Sequence, residues 1–273
     1  MSPDTLAILQ DFLLSRRAKG CAPSTVYFYQ RTLKTFLASL PVELPELRPP
    51  HVRAYLTSLM NKGIKPHPAA RAVRALVRFA HREGYIPAAV QFEMPKYVRP
   101  AMRVLTEVET KALLAACLKP RERAAISLLL DTGLRRAEAC SLRWADVDFE
   151  GGSLVVRKGK GSKHRVVGIG STARRSLLKL PHQGEYILGL RSSGLRMLVE
   201  RVSHRAGLVG IGCHVLRRTA ATALTRNGMG TFALQRTLGH ASIATTLLYV
   251  NLANETIVAA HQQASPLDNL RSK

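Results

Sequence analysis

Apolar residues recur at helical spacing through the first hundred positions. Leu6, Leu9, Phe12 and Leu13 form a stripe that predicts a helix over 5–19, stopped by Gly20. Val26, Tyr29, Leu33, Phe36 and Leu37 predict a second helix, with Ser24 as its N-cap. A third covers 51–61 and ends at Lys62 and Gly63; a fourth covers 68–83 and closes at Gly84. On the fourth, Val73, Leu76, Val77 and Ala80 fill one side. The other side carries Arg71, Arg74, Arg78 and Arg82, at i, i+3, i+7 and i+11.

Pro95 to Pro100 reads as an exposed linker. Thr106 then caps a helix that starts at Glu107, with Glu109 as its capping-box partner. The rest is mostly helical around one β island. Residues 153–156 and 165–169 are short strand-like runs flanking Lys158, Gly159, Lys160, Gly161 and Ser162, and residues 149–152 turn an earlier short strand into this hairpin. No βαβ alternation is present, which argues against a Rossmann sheet. The predicted fold is mainly α with a small antiparallel β-sheet (α+β). A helical domain spans 1–98, a second domain spans 103–273, and the boundary lies near 102.

Composition changes this picture through charge. The chain has 273 residues, 46% of them hydrophobic, so it can bury two cores. It carries 41 Lys+Arg against 18 Asp+Glu, a net charge of +23, distributed as +9 over 1–100 and +14 over 101–273. Such self-repulsion implies a polyanionic partner, and both halves can touch phosphates. Most charge stripes are solvated faces. The Arg71–Arg74–Arg78–Arg82 stripe has no acid interleaved, which favours a phosphate-contacting face. Cys21, Cys117, Cys140 and Cys213 show no metal-ligand spacing, and three of them sit among apolar or small residues, as buried thiols of a reducing cytoplasm do. Asp4 and Asp11 interrupt any leader-like apolar run, and no stretch reaches the length of a membrane span.

Four clusters carry chemistry. The first is Asp131-Thr132-Gly133-Leu134-Arg135-Arg136-Ala137-Glu138, where Gly133 marks a turn that puts Arg135 and Glu138 in the first turn of a helix. The second is Lys160 at the hairpin tip. The third is His214-Val215-Leu216-Arg217, whose spacing sets His214 beside Arg217 while Val215, Leu216 and Ala220 face inward. The fourth runs from Leu238-Gly239-His240 to Tyr249, with Gly239 ending one helix and Ser242 capping the next. Taken singly, each has a plain structural reading: a surface ion pair, a solvated lysine, a core histidine and a core tyrosine. Together they suit phosphoryl transfer without a metal. A tyrosine hydroxyl, with a pKa near 10, needs a base and nearby positive charge to act as a nucleophile. Arginine forks match the oxygens of the charged transition state, and a lysine can protonate a leaving oxygen.

These clusters, in this order from about Leu105 to Tyr249, resemble those of the tyrosine recombinases, the phage-integrase and Xer-type family. The resemblance implies a DNA breaking-rejoining domain preceded by a helical core-binding domain. It assigns Arg135, Lys160, His214, Arg217, His240 and Tyr249 as the catalytic set, with Glu138 supporting His214. DNA contacts are expected from Arg71, Arg74 and Arg78 on the acid-free stripe and from Lys158 and Lys163 of the basic hairpin turn. The partner would be double-stranded DNA at inverted-repeat core sites, held by a homotetramer or a mixed tetramer with a related recombinase. Residues 254–263, with Ile257 and Val258, are placed to pass to a neighbouring subunit. No metal and no cofactor is implied, no membrane partner, and a cytoplasmic, nucleoid-associated location. The helical pattern begins almost at Met1, which implies no arm-binding domain ahead of it. One departure is Arg218, where the family commonly has histidine, outside the catalytic set. A type IB topoisomerase shares this chemistry, and a non-catalytic DNA-binding regulator shares the surface charge. A ribosomal-type RNA-binding protein would explain the charge but not the spacing.

Overall fold

Proline stands in the first turn of each of the four helices of the N-terminal hundred residues, where its missing N–H costs nothing and its fixed φ starts the helix. The computed structural model describes residues 2–97, 101–157, 164–253 and 265. The chain divides into two units, Met1–Pro100 and Ala101–Lys273. The first holds α1 (Pro3–Ala18), α2 (Pro23–Ala38), α3 (Pro49–Asn61) and α4 (His67–Arg82). Phe12 is fully buried at its centre, edge-on to Tyr29 and Phe79 at 5.3 and 5.4 Å between ring centroids. Leu33, Phe36, Val73 and Leu76 complete this core with no exposed surface.

The periodicity is right and some details differ. Leu6 is exposed and Ile8 is in the core, because the buried face runs through Thr5, Ile8, Leu9, Phe12 and Leu13 at i, i+3/i+4 and i+7/i+8, which leaves Leu6 off it. Ser24 caps nothing. Pro23 already starts α2, so the N-cap position falls on Ala22, whose side chain cannot accept a bond. Gly84, with φ at 80°, lies one residue beyond the C-cap, Glu83.

The second unit is built on α6 (Pro120–Thr132), whose Ala124, Ala125, Ile126, Leu128 and Leu129 are fully buried. Around it pack α8 (Ser171–Leu178), α9 (Ser192–Arg205) and α10 (Cys213–Arg226), with α5 (Glu107–Ala115) and α7 (Arg136–Ser141) also against it. The capping box of α5 forms as predicted: the Glu109 amide donates to Thr106 Oγ1 at 3.2 Å, and the Thr106 amide to Glu109 Oε2 at 2.8 Å. β1 (Val147–Asp148), β2 (Ser153–Val156) and β3 (Arg165–Gly168) form one antiparallel sheet in sequential order, with Leu154 opposite both Val147 and Val167. α11 (Thr231–Leu238) and α12 (Ile243–Ala253) finish the described fold. It is mainly α with a small antiparallel sheet. Only Cys213 of the four free cysteines is buried; Cys21 and Cys117 are half-covered in the connections after α1 and α5, and Cys140 is half-covered on α7, each at the edge of a core.

Candidate active site

Two left-handed glycines shape the site. Gly133 ends α6 at φ 62°, where a side chain would be strained and its Cβ would lie 2.9 Å from Leu238 Cδ2, so glycine is favoured. Gly239 ends α11 at φ 64° with the Arg165 guanidinium about 3.1 Å from where its Cβ would be. The carbonyls released at these two helix ends are taken by arginines. Arg217 donates from Nη1 to Gly133 O at 2.6 Å and from Nη2 to Leu238 O at 2.8 Å. Arg135 donates from Nη2 to Gly239 O at 2.9 Å. Arg217 is 3% exposed, and burial, then Arg135, pushes its pKa down to about 10, which leaves it charged at neutral pH.

Arg135 is the N-cap of α7 rather than a first-turn residue. Its amide donates to Glu138 Oε2 at 2.8 Å and its Nη1 to Glu138 Oε1 at 3.0 Å. The same carboxylate accepts a fork from Arg165 on β3, at 2.9 and 2.8 Å. Burial alone would raise the Glu138 pKa, but these bonds, Arg165's foremost, hold it down at about 2. A carboxylate offers about four lone-pair sites, and all are filled. Glu138 therefore orients both arginines, and no hydrogen bond joins it to His214 among the described residues.

His240 follows Gly239. Its Nε2 faces Arg217 Nη2 at 3.1 Å and its Nδ1 faces Thr246 Oγ1 at 3.0 Å. Burial and then the arginines push its pKa down to about 4, so the ring is neutral. Tyr249 is 7% exposed, packed with Ala221, Leu234 and Leu238, and its ring stacks on His240 at 5.9 Å and 19°. His214 lies at the exposed rim, one turn before Arg217 on α10. Loss of solvent, then Arg218 and Arg217, lower its pKa, so it too favours the neutral form.

The fold thus brings Arg135, Glu138, Arg217, His240 and Tyr249 together, with His214 beside them. Lys158, Lys160 and Lys163 lie outside the described residues, as does the segment 254–263. In the first unit Arg71 and Arg78 are exposed with no partner among the described residues. Arg74 is half-buried, reaching Phe92 O at 3.5 Å and lying over the Phe92 ring at 5.8 Å, and Arg82 is bonded to Glu83. The stripe is therefore not uniform. Sequence reasoning missed Arg165 and Thr246. Val167 is buried and strand alternation puts Arg165 on the same face, so an inward arginine in need of an acid was the available signal. Thr246 stands at helical spacing from Tyr249.

The pattern extends to known proteins. The phage integrase family model matches residues 103–256. Tyrosine recombinase XerC of Oceanobacillus iheyensis is 30% identical over 284 aligned residues, covering 92% of this chain and 93% of that protein. A crystal structure of XerA recombinase is 26% identical at a TM-score of 0.53, covering 96% of this chain and 99% of the other. A lambda integrase tetramer bound to a Holliday junction superimposes at a TM-score of 0.76 with 20% identity, covering 92% and 78%. The chain belongs to the phage integrase family, the tyrosine recombinases. Among the described residues no helix is long and apolar enough to cross a membrane.

Proposed function

We propose that this chain is a site-specific recombinase that cuts and rejoins double-stranded DNA through a 3′-phosphotyrosyl link at Tyr249. The observation that carries this reading is the convergence of Arg135, Arg217 and His240 on the two helix ends at Gly133 and Gly239, with the Tyr249 ring stacked on His240. A guanidinium has five N–H groups. Three of Arg217's meet Gly133, Leu238 and His240, and two of Arg135's meet Glu138 and Gly239. The rest have no partner among the described residues and suit the non-bridging oxygens of a phosphodiester.

In this mechanism the Tyr249 hydroxyl attacks phosphorus and its proton passes to neutral His214. The bond from phosphorus to the 5′-oxygen breaks, and Lys160 protonates that oxygen. The arginines hold the extra negative charge in a geometry fixed before substrate arrives. A 5′-hydroxyl from a second duplex reverses the step and releases Tyr249, so the bond energy is conserved and neither nucleotide nor divalent metal is consumed. Exchange proceeds one strand pair at a time through a Holliday junction, on paired inverted-repeat sites, in a tetramer closed by rotation, with 254–263 as the exchanged segment. The four-fold lambda integrase assembly on a junction supports this arrangement, as does positive charge in both halves. The first unit, with Arg71 and Arg78, would grip the duplex as a core-binding domain, and the protein would work at the nucleoid.

The test starts from duplexes that the protein itself selects from a random pool. Nicked versions of these should trap a covalent protein–DNA adduct on denaturing gels, in EDTA as in magnesium. Tyr249→Phe should abolish the adduct while keeping DNA binding. An adduct from the phenylalanine variant would reject Tyr249 as nucleophile, and one abolished by EDTA would reject metal-free chemistry.

A further inference from the structure

Both ring nitrogens of His240 are engaged inside the protein, and their partners differ in kind. Arg217 meets Nε2, and a guanidinium has only donors. Nε2 must therefore present its lone pair. Because the arginines and burial keep the ring neutral, its single proton sits on Nδ1 and is donated to Thr246 Oγ1, 3.0 Å away. In this tautomer His240 braces Arg217 and has no hydrogen to offer a phosphate. As a member of the proposed catalytic set, His240 can serve the reaction by donating from Nε2 to a phosphate oxygen; a neutral ring must then leave Nδ1 bare, and a bare acceptor inside the protein is costly unless a donor stands at the same place. A threonine hydroxyl accepts in one rotation and donates in the other.

We propose that Thr246 is a positioning residue that lets His240 exchange tautomers, so that His240 braces Arg217 in the free protein and donates to the phosphate when substrate is bound. The inference rests on the function proposed above. The proton count is unchanged: the ring proton moves from Nδ1 to Nε2 through solvent exchange, and the Thr246 hydroxyl turns from acceptor to donor. Arg217 Nη2–H, released from Nε2, turns to the phosphate as well. Thr246 is fully buried on α12, one turn before Tyr249. Its hydroxyl therefore moves with the nucleophile's helix, and the tautomer is tied to the position of Tyr249.

The experiment is nitrogen NMR of the full chain with labelled histidine, His240 being assigned with His240→Gln. The free protein at neutral pH should show the Nδ1–H tautomer, and saturation with inorganic phosphate should convert it to neutral Nε2–H. A free ring protonated at Nε2, an unchanged Nδ1–H tautomer at saturation, or a phosphate-bound imidazolium would each overturn the proposal. In single-turnover adduct formation Thr246→Val should lower the rate about 10- to 100-fold, below the loss from deleting a donor outright. The half-saturating DNA concentration should not change, and Thr246→Ser should restore the rate. Equal rates for all three proteins would remove the role of Thr246 and leave the proposed function standing. A wild type that forms no adduct would instead sink the proposed function, with the tautomer still readable. Where valine unfolds the chain, the wild-type and serine spectra decide.

Discussion

The two units use arginine in opposite ways. On α4, Arg71 and Arg78 extend into solvent with no partner among the described residues. In the second unit Arg217 and Arg165 are nearly or largely buried, with side-chain exposure of 10% for Arg165, and their hydrogen bonds go to helix-end carbonyls, one carboxylate and the His240 ring. A solvated arginine gives long-range attraction that salt screens. A buried, bonded one gives direction, because its charge is fixed in place before the ligand arrives. The same residue type thus serves capture in one region and pre-organised chemistry in the other. Sequence counts the charges in both and does not separate the uses.

Removing one arginine from each region breaks the comparison most strongly. Arg165→Ala takes two of four bonds from Glu138 and the Nε bond to Thr237 O, leaving a largely buried carboxylate, 14% exposed, under-compensated. Such a loss costs about 3–5 kcal/mol, which lowers the melting temperature of a unit this size by roughly 10 °C. Arg71→Ala, removing only a solvated side chain, should stay within about 0.5 kcal/mol. Calorimetry on the full chain checks both. Equal shifts would erase the distinction between the two kinds of arginine.

Acid should attack the second unit through the same network. His240 has its pKa lowered from 6.5 to about 4 in the fold, so the unfolded chain takes up the proton first as pH falls. Its contribution is complete above pH 6.5 and is lost as pH drops towards about 4. Glu138, lowered from 4.5 to about 2, then loses its contribution below 4.5. Urea unfolding followed across this range should show stability falling between pH 6.5 and 4, more weakly in His240→Gln. The part-exposed ring makes this smaller than the Arg165 effect. A wild-type curve that is flat there would contradict the neutral, half-buried histidine.

The helices of the first unit were legible because apolar spacing is a local property, and Phe12, Leu33 and Leu76 are buried where the stripe puts them. Arg135, Arg217, His240 and Tyr249 were legible as an ordered set of types. Their bonding was not, because the partners are backbone carbonyls of Gly133, Leu238 and Gly239, and a carbonyl has no signature in sequence. That Glu138 is held by Arg165 was not legible either, because the two stand 27 residues apart and meet only in the fold. The cap misplaced on Ser24 shows the reverse case, a local competition in which Pro23 sets the helix start.

The smallest expected effect sharpens the capture side. Each phosphate contact by a lysine or arginine contributes about −0.9 to the slope of log affinity against log salt. The α4 stripe has four arginines, but Arg82 is bonded to Glu83 and Arg74 is spent on Phe92. Only Arg71 and Arg78 are poised to release counterions, so replacing both with alanine should flatten the slope by about 1.8. Adding Arg74→Ala should change it little further, because that guanidinium would have to leave a carbonyl and an aromatic face to reach DNA. Binding titrations across a salt series with a fixed duplex read these slopes directly. No change in the double variant would return the whole stripe to an ordinary solvated face. A further drop of about 0.9 from Arg74 would mean that the contact with Phe92 opens when the first unit meets its duplex.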